Sequence, residues 1–357
     1  MRIGMIAPLE LSVPPRAYGG IELVVGVLVD GLIDRGHEVT LFASGDSITA
    51  AHLVSVFPHS LRGTDRYRGP LNLLNVAACL EQAGRFDIIH NHTEFEGLAL
   101  AGLSTTPVLT TFHGAPNRDC LTVFAHYQGW YNAISQAAGS LLPPKERCVG
   151  VVYNAIDVSS YPFNDAHRRG AHLLFLSRMS EEKGPHLAIE VARRLQRPLV
   201  LAGNVDSNDE EFFNTQVLPH VDDDLIQYVG EADYHQKRDL LSRAHCLLAP
   251  ITWPEPFGLF MIEAMACGTP VVAFNRGAVP ELVQHGETGY VVNDIEEMAQ
   301  AVDEVDHIDR EQCRSHVQRY FDAHRMVDDY IAAYEYVVSA ESGAATQVPS
   351  VGLAGRA

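Results

Sequence analysis

Two carboxylates with the right surroundings for ligand chemistry stand in P-E-P-F-G-L-F-M-I-E-A-M-A-C-G. They are Glu255 and Glu263, with seven residues between them. Pro254 and Pro256 keep Glu255 in irregular chain, because proline lacks a backbone donor and fixes its own φ. Residues 259–267 are mostly helix formers, and Gly268 stops the run. Phe257 and Gly258 open this helix, and Gly258 lets a ligand approach the backbone closely. A helix start has unpaired N–H groups and the positive end of the peptide dipoles, so an anion fits there. The chemistry implied is capture of one phosphate-bearing, hydroxyl-rich ligand: phosphate at the helix start, hydroxyls on the two carboxylates. Earlier, in R-M-S-E-E-K-G-P, Arg178 and Lys183 bracket a loop. A guanidinium fork and an ammonium point charge held there can clamp a diphosphate. Gly19-Gly20 precede another helix start and offer a second phosphate cradle.

These residues need elements to hold them. Residues 246–249 form a short apolar strand, 259–267 a helix, and 269–274 a second strand. That is the strand–loop–helix–strand unit of a parallel sheet. The same alternation opens the chain, with strands at 2–7 and 38–43 around a helix at 21–35 whose apolar residues recur at helical spacing. Further strands are expected at 86–90, 108–112, 131–135, 149–153, 172–177, 199–203 and 227–229. Helices are expected at 71–83, from 185 to 194, and at 239–244, 295–305, 310–319 and 325–339. The pattern predicts two doubly wound α/β domains. Their bounds are 1–160 and 171–322, joined by a polar linker, with a disordered tail at 341–357. Strand ends are where open α/β sheets bind ligands, which singles out His113 after 108–112 and Val229 at the end of 227–229.

Bulk properties exclude several functions. The chain has 357 residues, with 26 Lys and Arg against 45 Asp and Glu, for a formal net charge of −19. Nucleic acid binding wants a basic face, and anionic membranes likewise attract none of this. No run of about 18 apolar residues exists and the N-terminus has no signal-peptide core, so a cytoplasmic protein without membrane insertion is expected. The six cysteines show no zinc-site spacing. His90, His92 and His113 lack a carboxylate or cysteine to complete a ligand set, so no metal is expected. Asp222-Asp223-Asp224 reads as a loop charge run. The G-x-G-x-x-G fingerprint is missing, which disfavours a dinucleotide oxidoreductase. The sequence carries no signal for an oligomeric state.

E-P-F-G-L-F-M-I-E-A-M-A-C-G-T-P-V-V resembles the signature of the family-4 glycosyltransferases, and the resemblance reaches from Arg2 to about Val338. S-R-x-x-x-E-K-G, Y-G-G-I-E, T-F-H-G and N-A-I-D each match further family strings, with Ala155 in place of the usual glycine. The resemblance implies the GT-B fold, in which the helix at 325–339 crosses back onto the first domain. It also implies retaining transfer of a hexose from a nucleoside-diphosphate sugar bound in an interdomain cleft. It assigns the diphosphate to Arg178 and Lys183 and the ribose to Glu263. The sugar hydroxyls fall to Glu255 with the amides of Phe257, Gly258 and Leu259. Gly19 and Gly20 approach the phosphates, Val229 lies near the base, and His113 stands beside the sugar ring. Cationic side chains make a metal or other cofactor unnecessary. P-P-R-A-Y-G-G-I-E is similar to soluble enzymes acting on small molecules, so UDP-glucose and a small-molecule hydroxyl are the expected substrates. The alternatives are a GDP-mannose donor with a lipid or polysaccharide acceptor, and a non-catalytic nucleotide-sugar-binding protein.

Overall fold

Apolar runs of four or five residues separated by helices must pair in parallel, because each crossover returns the chain to the same edge. In the computed structural model, which describes residues 1–163 and 170–343, every strand pair is parallel. The chain divides into two units, Met1–Ala155 with the segment from Ala323 onward, and Ile156–Asp322.

The first unit has seven strands: β1 (Arg2–Ile6), β2 (Glu38–Phe42), β3 (His52–Val54), β4 (Ile88–Asn91), β5 (Val108–Phe112), β6 (Trp130–Ala133) and β7 (Cys148–Val151). Their spatial order is β3-β2-β1-β4-β5-β6-β7. The second unit has β8 (Leu173–Leu176), β9 (Leu199–Ala202), β10 (Ile226–Tyr228), β11 (Cys246–Ala249), β12 (Val271–Phe274) and β13 (Gly289–Val292). Their order is β10-β9-β8-β11-β12-β13. Strands β4, β5, β8, β9, β11 and β12 are buried along their whole length, as in sheets covered by helices on both faces. The order reverses between β1 and β4 in one sheet and between β8 and β11 in the other. Such reversal points open a crevice beyond the carboxyl ends of the strands.

Helix Gly20–Asp34 buries Val24, Val25, Leu28 and Leu32. Gly31 on this helix admits helix Ala323–Glu341: a Cβ there would lie 2.5 Å from Val327. Arg35 Nε donates to Asp328 Oδ1 at 2.8 Å beside that contact. The terminal helix runs through Glu341, whereas the sequence predicts a disordered tail from that residue. The reason is tertiary: Trp130 Nε1 donates to Glu341 Oε1 at 2.8 Å, and Arg147 pairs with the same oxygen. The rest of that expected tail, 344–357, lies outside the described residues, as do 164–169 of the expected linker.

Several elements were not expected from periodicity. Strand β3 has three residues, too few to show alternation. Helix Glu94–Ala101 has eight residues and no side-chain cap. Helix Arg118–His126 buries only Phe124, so its apolar stripe is too thin to read, although Asn117 caps it by accepting from Cys120 N at 2.9 Å.

Glu22 lies in the first turn of helix Gly20–Asp34, only 4% exposed, and burial pushes its carboxyl up to about 7. The folded protein therefore holds this proton at pH values where the unfolded chain has lost it. Stability must fall as pH rises from about 4.5 to 7 on account of this group. The shift corresponds to about 3 kcal/mol. Chemical denaturation of wild type and Glu22→Gln at pH 4.5 and 7 should show this decline in the wild type relative to the variant. A constant difference between the two proteins across that window would remove Glu22 as its source.

Candidate functional site

The reversal between β8 and β11 places two loops side by side. The loop after β8 carries Arg178 and Lys183 and leads into helix Pro185–Leu195. The loop after β11 carries Trp253, Glu255 and Phe257 and leads into helix Leu259–Ala266. Thr252 N donates to Glu182 O at 2.9 Å and joins them. Gly184 has φ 79°, and a Cβ on it would sit 2.3 Å from Pro250 O, so only glycine allows the loops this approach. A third segment braces them, with Ala278 N donating to Glu255 O at 2.9 Å.

Inside this frame Lys183 Nζ pairs with Glu255 Oε2, and both side chains are about one-tenth exposed or less. Two charges withdrawn from water cost several kcal/mol each unless they face one another with further bonds. Here Trp253 supplies both extras: its Nε1 donates to Glu255 Oε2 at 2.9 Å, and Lys183 Nζ lies 4.8 Å from its ring centroid. Arg178, at the loop's other end, faces Glu182, with Asp206 and Asp209 each at 3.4 Å. The two expected cations are thus held by protein carboxylates rather than standing as an open clamp.

Glu263 lies in helix Leu259–Ala266 and is 3% exposed. Its Oε1 accepts from Tyr161 OH at 2.7 Å and Lys237 Nζ at 2.5 Å. Burial, followed by the neighbouring Glu263 charge, raises the Tyr161 hydroxyl well above its ordinary pKa, so it stays a donor. Gly258 caps the helix with φ 92°, where a Cβ would lie 2.4 Å from Met261 Cε. Phe257 is buried and meets Phe321 edge to face at 6.0 Å, which anchors the turn that presents Gly258 and Leu259. Val229 follows β10 at the sheet edge, two strands from β8, and is 51% exposed.

The remaining candidates belong to the first unit. Gly19 and Gly20 begin helix Gly20–Asp34, and Gly19 O accepts from Leu23 N at 3.1 Å. His113 follows β5 and is nearly buried, and burial pushes its imidazole down to about 3. Glu94 fixes its backbone: the carboxylate accepts from His113 N at 2.6 Å and also from Gly114 N. Glu94 has φ 49°, which is uncommon for a non-glycine residue. Trp253, Tyr161, Lys237 and Glu94 were not singled out from the sequence. Only Trp253, two residues before Glu255, was close enough to notice.

Asp222 Oδ1 accepts from the amides of Asp224, Leu225 and Ile226 at 2.9–3.1 Å, and these bonds, that from Ile226 first, lower its pKa. It shapes a turn. Among the described residues no group of three or more His, Cys, Asp or Glu is placed to hold a metal ion. Nor is any described helix long and apolar enough to cross a membrane.

Two parallel-sheet Rossmann-like units of this design are those of the GT-B fold. Residues 18–160 match Glycosyltransferase Family 4, and residues 164–319 match Glycosyl transferases group 1. The chain belongs to the family-4 glycosyltransferases. Among its relatives, the glycogen synthase of Mycobacterium tuberculosis is 27% identical, with 81% of each chain covered. A phosphatidyl-myo-inositol mannosyltransferase of Mycolicibacterium smegmatis is also 27% identical, covering 85% of this chain and 84% of its own. Two solved structures share the fold. A glycosyltransferase involved in avilamycin A biosynthesis superposes with TM-score 0.74 at 23% identity, covering 95% of this chain and 98% of its own. Anabaena HepE in complex with UDP and glucose superposes with TM-score 0.73 at 20% identity, covering 94% and 99%.

The Glu263 site makes a stability prediction. Lys237→Met should destabilise the protein by roughly 3 kcal/mol, because it leaves a buried carboxylate short of its counter-charge. Adding Glu263→Gln should recover most of that loss. Denaturant midpoints of the single and double variants measure it, and equal midpoints for both would mean the pair is not coupled.

Proposed function

We propose that this protein is a retaining hexosyltransferase that uses UDP-glucose and transfers glucose to a hydroxyl of a small-molecule acceptor. The observation that carries the reading is the buried Lys183–Glu255 pair, set beside the glycine-capped start of the helix that carries the buried Glu263 carboxylate. The family membership makes the donor a nucleotide sugar. UDP and glucose in the HepE complex support the choice of base and sugar. The avilamycin enzyme supports a small-molecule acceptor.

On this reading the donor diphosphate takes the ammonium of Lys183 and the guanidinium of Arg178. Its arrival exchanges the Lys183–Glu255 pair for a Lys183–phosphate pair and leaves the Glu255 carboxylate to accept from sugar hydroxyls. The amides of Phe257, Gly258 and Leu259 share that work. Glu263 accepts from the ribose, Val229 lies against the base, and Gly19 and Gly20 admit the phosphates. His113 meets the sugar ring. As the bond to the anomeric carbon breaks, negative charge grows on the leaving diphosphate, and fixed cations stabilise it most at that moment. These cations take the place of a metal, so full activity in excess chelator is expected.

The mycobacterial mannosyltransferase supports a second reading, in which the donor is GDP-mannose and the acceptor a lipid. Transfer assays with UDP-glucose and GDP-mannose in parallel decide between the two.

The roles of the glutamates are separable by calorimetry. Glu263→Gln should weaken UDP and UDP-glucose alike, by roughly ten- to a hundredfold, the worth of one charge-assisted hydrogen bond. Glu255→Gln should leave UDP binding nearly unchanged and impair the step that depends on the sugar. Lys183→Ala should cut transfer by roughly 2–4 kcal/mol of barrier. Equal loss of UDP by both glutamine variants would refute the division of roles.

A further inference from the structure

A file of buried polar side chains leads inward from His113 to the backbone of β6. His113 Nε2 lies 2.8 Å from His92 Nδ1, and His92 Nε2 lies 3.2 Å from His90 Nδ1. His90 Nε2 lies 2.7 Å from Thr111 Oγ1, which is 2.7 Å from Asn132 Oδ1. Asn132 Nδ2 lies 3.3 Å from Ala133 O. His90, His92, Thr111 and Asn132 are all fully buried.

The last contact decides the sense of every other. A backbone carbonyl only accepts, so the amide nitrogen of Asn132 must face Ala133, and its oxygen must face Thr111. A flipped amide would set two oxygens against each other. Thr111 then donates its hydroxyl proton to Asn132, and its oxygen accepts from His90 Nε2–H. Tyr330 OH, 3.1 Å from Thr111 Oγ1, adds a second donor to that oxygen. Burial keeps His90 and His92 neutral, as it does His113. A neutral ring has one N–H, so His90 Nδ1 can only accept, and its single lone pair takes Tyr334 OH at 2.6 Å. His92 Nε2 lies 3.2 Å from the same nitrogen with the rings tilted at 45°, and turns its N–H there, since a second lone pair would be repelled. His92 Nδ1 is then an acceptor as well, and the only group facing it in this file is His113 Nε2–H.

We infer that Asn132, Thr111, His90 and His92 are positioning residues that hold His113 in its Nε2–H form and turn its Nδ1 lone pair toward the ligand. The ligand group suited to that atom is a hydroxyl donor, not an anion or a carbonyl. The role for this lone pair rests on the placement of His113 at the sugar. The direction of the bonded file does not.

Nitrogen NMR of the full-length, ¹⁵N-histidine-labelled protein reads the tautomers directly, with resonances assigned through His113→Asn and His92→Asn. Expected in the absence of ligand are a pyrrole-type Nε2 and an imine-type Nδ1 for His113, His92 and His90. A pyrrole-type Nδ1 on His113 overturns the inference and leaves the enzyme class untouched. Thr111→Val removes the hydroxyl that orders the file, and His113 should then populate both tautomers. Thr111→Ser should restore the wild-type pattern. A Thr111→Val protein that keeps His113 wholly in the Nε2–H form also overturns the inference. If that variant does not fold, the wild-type and Thr111→Ser spectra still decide the direction. Saturating UDP-glucose should shift the His113 Nδ1 resonance. The predicted tautomer without that shift supports the file and overturns the placement of His113 at the sugar.

Discussion

Both units obey one constraint: a parallel sheet buried on two faces has to deliver every strand-to-helix loop to the same edge. Hydrogen-bonded strands that all point one way, with helices as the only routes back, leave no other outcome. The consequence is chemical. Residues far apart in sequence, Lys183 after β8 and Glu255 after β11, come within ion-pair distance because their strands are neighbours where the order reverses. In the other sheet the neighbours β4 and β5 bring His92 and His113 together in the same way.

Burial then sets what those groups can be. Lys183 and Glu255 face each other as counter-ions, with Trp253 serving both. Glu263 is satisfied by Tyr161 and Lys237. In the first unit, burial drives His90, His92 and His113 neutral. One unit therefore carries paired charge at its strand ends and the other carries neutral, directional hydrogen bonds. The first suits a ligand that is itself charged, the second a ligand that must be oriented by its hydroxyls.

Close approach of backbone is the other shared device. Gly184 against Pro250 and Gly258 at its helix start give the second unit loops packed to a density no side chain would permit. Such loops hold their functional groups in place before a ligand arrives, which lowers the ordering cost of binding.

Much of this was legible in the chain itself. Short apolar runs alternating with helical periodicity determined two parallel α/β units, and P-E-P-F-G-L-F-M-I-E determined a loop, a glycine-capped helix start and two carboxylates with known offset. These are local properties, set by propensity, proline and glycine geometry, and periods of 2 and 3.6 residues. Partners were not legible. That Lys183 meets Glu255, that Tyr161 and Lys237 hold Glu263, that Glu94 grips the His113 turn and that Glu341 ends a helix rather than starting a tail all depend on contacts across 19 to 211 residues of chain. No local rule carries such separations. Tertiary structure alone also decided the protonation of His90, His92 and His113, because desolvation depends on what surrounds a side chain in space.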